Sequence, residues 1–239
     1  MAKFEKVNLL NYPIFFMTKE TKCPYLDNKS EKRLVTDLNN NPFLFDELSL
    51  SGFRRIENWM YRPSCSHCNE CKSYRVNINE FSLTKSLKRI KKNNEGISTF
   101  LKKNLASEEY YNLFSTYQHK RHTGSSMSNM TFEDFKSMIE SSPINTQLYE
   151  FRNKEKKLIG LMLFDYQKDG LSAVYSFYDV KFEKSGLGNF MILELIELAK
   201  KLTLDYVYLG YYIKNAPRMN YKLKFKEGEL YSDGKWTKT

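Results

Sequence analysis

At 239 residues the chain can bury a core as one large domain or two interdigitated ones, so its four cysteines are not required as covalent staples. Lys and Arg number 38 against 28 Asp and Glu, a formal charge of +10 and a pI near 9.2, which favours phosphate polyanions or acidic peptides as partners. No stretch approaches the roughly 18 apolar residues of a membrane span, and YPIFFMT is too short for a secretory core. The expected compartment is therefore the cytoplasm, without membrane partners, where thiols stay reduced.

The N-terminal third is punctuated by Pro13, Pro24, Pro42 and Pro63 and reads as irregular structure with short strands around its cysteines. YRPSCSHCNECKSYRV places Cys65, Cys68 and Cys71 at steps of three, with Cys23 the remaining thiol. The pattern resembles the first three thiols of a ferredoxin-type cluster, but the fourth ligand and its trailing proline are missing. With Cys23 or His67 a four-ligand zinc or iron-sulfur site is chemically feasible, and a cluster of reduced structural thiols is the alternative. YRVNINEFSLT alternates as a strand over Tyr74 to Phe81. The following stretch carries Lys85, Lys88, Arg89, Lys91, Lys92, Lys102 and Lys103 against the single acid Glu95, either a solvated face or a phosphate-contacting patch.

From Ser107 a helix is expected, with early acids, an apolar stripe of Tyr110, Leu113, Phe114 and Tyr117, and late bases that suit the helix dipole. Thr131 and Asp134 cap a second helix that stops before Pro143. KLIGLMLFDYQKDGLSAVYSFYDV reads as two strands around Lys168, Asp169 and Gly170. EKSGLGNFMILELIELAKKL then gives a glycine-containing loop and a helix whose polar stripe of Glu194, Glu197 and Lys201 is narrow enough for it to lie across a sheet. LDYVYLGYYI is a buried strand, NAPRMNYKLKF a short helix, and GELYSDGKW a closing hairpin turning at Asp233 and Gly234.

Gly186 and Gly188 remove two side chains where the backbone enters the helix, leaving free N–H groups and a dipole end, while Lys184 and Ser185 add a charge and a donor. Such a loop is either a tight strand-to-helix turn or an anion cradle. Its place in a strand, loop, helix, strand series resembles the acyl-CoA N-acyltransferase (GNAT) fold, although the leading arginine usual in that fold is absent.

Several segments together resemble the arginyl/leucyl-tRNA protein transferases, and specifically the bacterial aspartate/glutamate leucyltransferases. They are CPYL from Cys23, GFRR from Gly52, the cysteine segment, YRV from Tyr74, KRH from Lys120, SAVYSFYDV from Ser172, SGLGNF from Ser185, YVYLGYYI from Tyr206, MNYKLKF from Met219, and the final GKW. The SGLG loop departs by one residue from the expected Ser-Leu-Gly, and a single cysteine stands in CPYL where eukaryotic relatives carry a pair. The resemblance implies an α+β, double GNAT-like fold with mixed central sheets and flanking helices. In that division residues 1–100 form an N-terminal lobe with the cysteine motif and residues 101–239 a C-terminal GNAT-like lobe.

The same resemblance implies an aminoacyltransferase that moves leucine from leucyl-tRNA to the α-amine of proteins beginning with Asp or Glu, marking them for N-degron degradation. An aminoacyl ester is already activated and the free α-amine has a pKa of about 7.7 to 8.0, so alignment, a proton acceptor and carbonyl polarisation suffice. Asp179 is the expected proton acceptor or orienter, with Tyr175 and Tyr178 beside it. Lys184, Ser185, Gly186, Gly188 and Tyr211 are expected on the donor side. Arg75, Arg121 and His122 are expected to pair the acceptor carboxylate, since a desolvated carboxylate needs a partner. No cofactor is required; an iron-sulfur cluster or zinc at Cys23, Cys65, Cys68 and Cys71 is the optional addition. Three alternatives remain at this stage: arginyl transfer, acyl-CoA-dependent N-acetylation, and a non-catalytic metal-bound nucleic-acid module.

Overall fold

The structure is a computed structural model that describes residues 13–239, so the first residues of the expected N-terminal lobe and Tyr12 of the short apolar segment lie outside it. Its centre is an eight-stranded sheet whose middle is apolar on both faces. In chain order the N-terminal strands are β1 (Phe16–Met17), β2 (Thr21–Lys22), β3 (Ser30–Glu31), β4 (Arg33–Asp37), β5 (Arg54–Ile56) and β6 (Trp59–Pro63). They are followed by β7 (Lys72–Asn77), β8 (Ser98–Lys103), β9 (Thr146–Arg152), β10 (Leu158–Tyr166), β11 (Gly170–Tyr178), β12 (Tyr206–Tyr212), β13 (Gly228–Ser232) and β14 (Lys235–Lys238). The large sheet runs β14-β13-β7-β12-β11-β10-β9-β8, antiparallel except for the parallel pair β11 and β12. A smaller sheet runs β1-β4-β6-β5, and β2 pairs with β3.

Helices α1 (Phe45–Leu50), α2 (Lys85–Asn93), α3 (Glu108–Arg121), α4 (Phe132–Glu140) and α5 (Leu187–Lys201) dress these sheets. Along β10, Met162 and Phe164 join the core made with α5 and Leu87 of α2, while Leu161 and Leu163 join the core made with Phe114 of α3 and Phe135 of α4. This period-two division is what a strand covered on both faces requires. Helix α5 buries nine of its residues, from Leu187 to Ala199, in keeping with its narrow polar stripe. Ser107 and Thr131 accept backbone N–H groups at the starts of α3 and α4, and Asp134 completes a capping box on Thr131.

Several expected elements appear with shifted limits. The strand read over Tyr74 to Phe81 is β7, and the segment after Ala216 is a 3-10 helix, Pro217–Lys224. Helix α1 and strand β9 were not visible in the pattern, and neither was β8, whose Lys102 and Lys103 lie on the outermost strand, where charge discourages pairing with another chain. Residue 100 lies inside β8, and β7 sits between β12 and β13, so the large sheet draws strands from both sides of that position. Among the described residues no helix is long and apolar enough to cross a membrane.

Candidate active site

Strands β11 and β12 pair only over Gly170–Ser172 and Tyr206–Tyr208, then separate. Each carries an extra residue just beyond the pairing: Val174 bulges from the β10 ladder and Leu209 from the β7 ladder. Bulges of this kind bend a strand and end its pairing. The result is a fork, closed at Asp169 and open towards Tyr178 and Tyr212.

The small sheet supplies what fills the fork. On β5, successive side chains leave on opposite faces. Arg55 forms a buried two-point ion pair with Asp165 of β10, both contacts at 2.7 Å, and Thr146 donates to the same carboxylate at 2.6 Å. Arg54 points into the fork, and its Nη2 donates to the carbonyls of Ala173 and Val174 at 3.3 and 3.0 Å, the backbone acceptors that a neighbouring strand would otherwise engage. Its guanidinium lies against Gly210, where a Cβ would come within 2.4 Å of Cζ, and that glycine also has φ +75. Gly210 is thus required twice, for the left-handed backbone and for the approach of Arg54.

Tyr211 is buried beside this arginine, its ring centroid 6.0 Å from Cζ. Its hydroxyl lies 2.9 Å from the Tyr61 carbonyl and 3.1 Å from that of Gly52, so its single proton is engaged by the small sheet. The Tyr211 carbonyl accepts from Lys222, whose amine is buried and held well below the ordinary lysine value by desolvation, with Arg54 adding to the effect. Expected on the donor side, Tyr211 in fact braces the fork.

The loop before α5 is built as a helix entrance. Gly186 occupies the N-cap position with φ +78, and a Cβ on Gly188 would sit 3.0 Å from the Tyr178 ring. Ser185 donates to Asn94 at 2.9 Å, and Asn94 returns a bond to the Ser185 carbonyl at 2.9 Å. Helix α2 is thereby fastened beside the loop, and its exposed Lys85, Lys88, Arg89 and Lys92 carry positive charge to that end of the molecule, as does exposed Lys184.

The open end is aromatic. Tyr178 packs against Tyr117 with centroids 5.2 Å apart, and His122, at the end of α3, also packs against Tyr117, at 5.6 Å. Burial holds His122 below its ordinary value, and the nearby Arg218 and Arg121 push it the same way. Arg121 pairs with Glu183. Tyr175 accepts from Gln118 Nε2 at 2.6 Å, and burial raises its pKa and that of Tyr178, so both remain donors at neutral pH. Three buried side-chain atoms lack partners among the described residues, and two of them, Gln118 Oε1 and Ser125 Oγ, lie along the last turn of α3 and the turn after it.

Other expected residues fall elsewhere. Arg75 is buried at the closed end of the fork: it donates to Glu229 at 2.8 Å and to the Tyr208 hydroxyl at 3.0 Å, and stacks 3.6 Å from the Tyr206 ring centroid. A side chain so engaged is not free to receive a substrate carboxylate. It also lies nearly the length of β11, roughly 25 Å at strand rise, from Arg121 and His122. Asp179 accepts the Lys181 N–H at 3.1 Å as the cap of a 3-10 turn and borders a shallow groove of about 400 Å³ with Thr116 and Lys120. It directly follows Tyr178 at the open end, five residues beyond the Val174 bulge and roughly 15 Å from it along the strand.

Cys23, Cys65, Cys68 and Cys71 line one cavity of about 350 Å³ with Tyr25, Glu31 and Arg62. Cys65 and Cys68 are bridge partners across a two-residue turn. Burial pushes the Cys71 thiol up to about 12, with the other three thiols adding to it. All four are free, and among the described residues no three His, Cys, Asp or Glu side chains are arranged to hold a metal ion. Without three donors so arranged, the residues as placed do not fit zinc or a cluster.

In overall fold the chain is similar to FemX, with a TM-score of 0.50 over 79% of this chain and 66% of that one at 6% identity, a likeness of fold alone. Descriptions of the N terminus and the C terminus of arginine-tRNA-protein transferase match residues 21–89 and 109–232. The aspartate/glutamate leucyltransferase of Granulibacter bethesdensis is 39% identical over 224 residues, covering 93% of this chain and 84% of that protein. The namesake of Paramagnetospirillum magneticum is 38% identical over 93% of this chain and 92% of its own. The chain belongs to the arginine-tRNA-protein transferase family.

Sequence reasoning located the glycine loop and the end of α3 but gave no place to Arg54, Gly210 and Lys222, which the structure brings together at the fork. All three stand in segments that carried the family resemblance, GFRR, YVYLGYYI and MNYKLKF, so the signal was present without a role attached to it.

Proposed function

We propose that this chain is an aminoacyl-tRNA protein transferase that moves leucine from leucyl-tRNA to the α-amine of proteins beginning with Asp or Glu. The observation that carries this is the near-full-length identity with aspartate/glutamate leucyltransferases, at 39% over 93% of the chain. The fork supports it, because a parallel strand pair that opens beside a glycine-led helix entrance is the arrangement through which a GNAT-like fold admits an activated acyl group. In this reading the small sheet with α1 is the reduced partner lobe of a double GNAT-like architecture.

The chemistry asks little of the protein. The neutral α-amine attacks the ester carbonyl carbon, the carbon–oxygen bond to the terminal ribose breaks, and the proton shed by the amine ends on the departing ribose oxygen. Tyr175, held protonated, donates a hydrogen bond to the carbonyl oxygen as it gains charge, and Tyr178 lines the open end against Tyr117. Gln118 fixes the Tyr175 hydroxyl. The basic face of α2 with Lys184 contacts RNA phosphates near the entrance of α5, while Arg121, His122 and Arg218 line the open end. Asp179 holds the turn that shapes the donor loop. Because the ester is already activated, neither metal nor electrons enter this scheme, and a preparation treated with a chelator is expected to keep its transfer activity.

Mass spectrometry of peptides beginning with Asp, Glu or Lys, after incubation with leucyl-tRNA, arginyl-tRNA or acetyl-CoA, tests the assignment. The expected product is a single leucine on the Asp and Glu peptides. Arginine or acetyl on any peptide, or no product from leucyl-tRNA, would replace this reading.

A further inference from the structure

We infer that Arg54, supported by Lys222, is the receptor for the side-chain carboxylate of the acceptor's first residue. The inference rests on the transferase reading above and adds to it the place where an acidic N-terminus is recognised.

Arg54 and Lys222 converge on the same short piece of β12. The guanidinium of Arg54 lies over Gly210 and Tyr211, and Lys222 donates to the Tyr211 carbonyl. Neither forms an ion pair with a carboxylate of the described residues; Arg54 has Tyr25, Tyr61, Tyr211 and Tyr221 near it, and Lys222 has the Cys71 thiol. The Arg54 guanidinium, half-buried with no acid beside it, leaves its charge available to an incoming anion.

Arg54 also has donors to give. Nη2 holds the two fork carbonyls, which leaves three of its five N–H groups, one on Nε and two on Nη1, without partners among the described residues. Neither nitrogen is among the three buried side-chain atoms that lack a partner, so both face accessible space. A guanidinium with free donors is suited to a planar carboxylate.

Position selects a carboxylate on the peptide over a phosphate on the RNA. In an N-terminal Asp or Glu the carboxylate is tied to the reacting amine by two or three carbon atoms, so its receptor must stand at the fork itself. RNA phosphates have their own basic surface on α2, beside the Ser185 loop. Lys222 is well placed to reinforce the site, since burial disfavours its charge and an arriving carboxylate restores it. Arg75, the arginine first expected here, already has its acid in Glu229.

The test is equilibrium binding of two peptides that differ only in an N-terminal Asp or Asn, followed by leucine transfer to each, with the wild-type chain and Arg54→Gln. The wild-type chain should bind the Asp peptide about 30-fold more tightly, the worth of charge-assisted hydrogen bonds. R54Q, checked for native melting, should bring the ratio close to one while the Asn peptide binds the variant and the wild-type chain within about twofold of each other. Should R54Q fail to fold, Lys222→Gln carries the same test, with the ratio reduced about fivefold. An unchanged Asp/Asn ratio in a folded variant overturns the inference, as does a raised leucyl-tRNA KM with the ratio intact, which would make Arg54 an RNA contact. Peptide discrimination that depends on Arg54 in a chain that transfers no leucine would remove the transferase reading and leave the receptor standing.

Discussion

The two ends of the β11–β12 fork hold arginines in opposite circumstances. At the closed end Arg75 is matched by Glu229, the Tyr208 hydroxyl and Asp169, and roofed by Tyr206 and Trp236. In the opening, Arg54 meets two carbonyls, a glycine and a ring of tyrosines. A buried charge with its counterion in place is part of the frame; a charge whose neighbours are only partial dipoles is available for binding. The same contrast occurs within two consecutive residues, since Arg55 is matched by Asp165 and Arg54 by no acid of the described chain.

The comparison breaks most visibly at Arg55. Asp165→Ala would leave the guanidinium buried without its acid and should cost about 3 to 5 kcal/mol of stability, read from urea unfolding. A loss below about 1 kcal/mol would mean that the small sheet is not fastened through this pair. Arg75→Gln should cost about 2 kcal/mol by leaving Glu229 under-partnered, with the preference for Asp over Asn peptides unchanged. A selective loss on acidic peptides would instead make the closed end part of the recognition site.

Gly210→Ala sharpens the contrast, because it strains a left-handed backbone position at a cost of about 1 to 2 kcal/mol and displaces Arg54. It should therefore reproduce the loss of acceptor discrimination expected of an Arg54 variant, and a variant that keeps full discrimination would separate the glycine from the arginine. The effect smallest for transfer itself concerns the cysteine cavity. With its pKa pushed up to about 12, Cys71 should react with iodoacetamide at pH 8 about a thousandfold more slowly than in the unfolded chain. The neutral thiol is favoured in the fold, so this contribution is complete below the ordinary thiol value of 9.0 and is lost as pH rises towards 12. Alkylation at the unfolded rate would place Cys71 outside the cavity.

The C-terminal half was legible in the sequence because its elements are long and carry their own punctuation: the caps at Ser107 and Thr131, the turn at Asp169 and Gly170, and the apolar breadth of α5. Strands β8 and β9 were harder to read, since Ser98–Lys103 is an exposed edge without alternation and β9 lacks turn signals that would set it apart. The site was legible only in part. A glycine loop announces itself locally, and the end of α3 was located by its helix pattern. Arg54 acquires its meaning from Ala173, Val174 and Gly210, more than a hundred residues away. Arg75 misled for the same reason, because its partner Glu229 lies on β13, distant in sequence and adjacent in the sheet.

The account turns on the fork as the place where ester and amine meet. A crystal structure with a non-hydrolysable leucyl-amide analogue of the RNA 3′ end and an Asp-initiated peptide examines that directly. The expected result is the leucyl carbonyl between β11 and β12 near Val174 and Gly210, with the peptide carboxylate on Arg54; an analogue seated in the groove beside Asp179, with the fork still closed by Arg54, would contradict it.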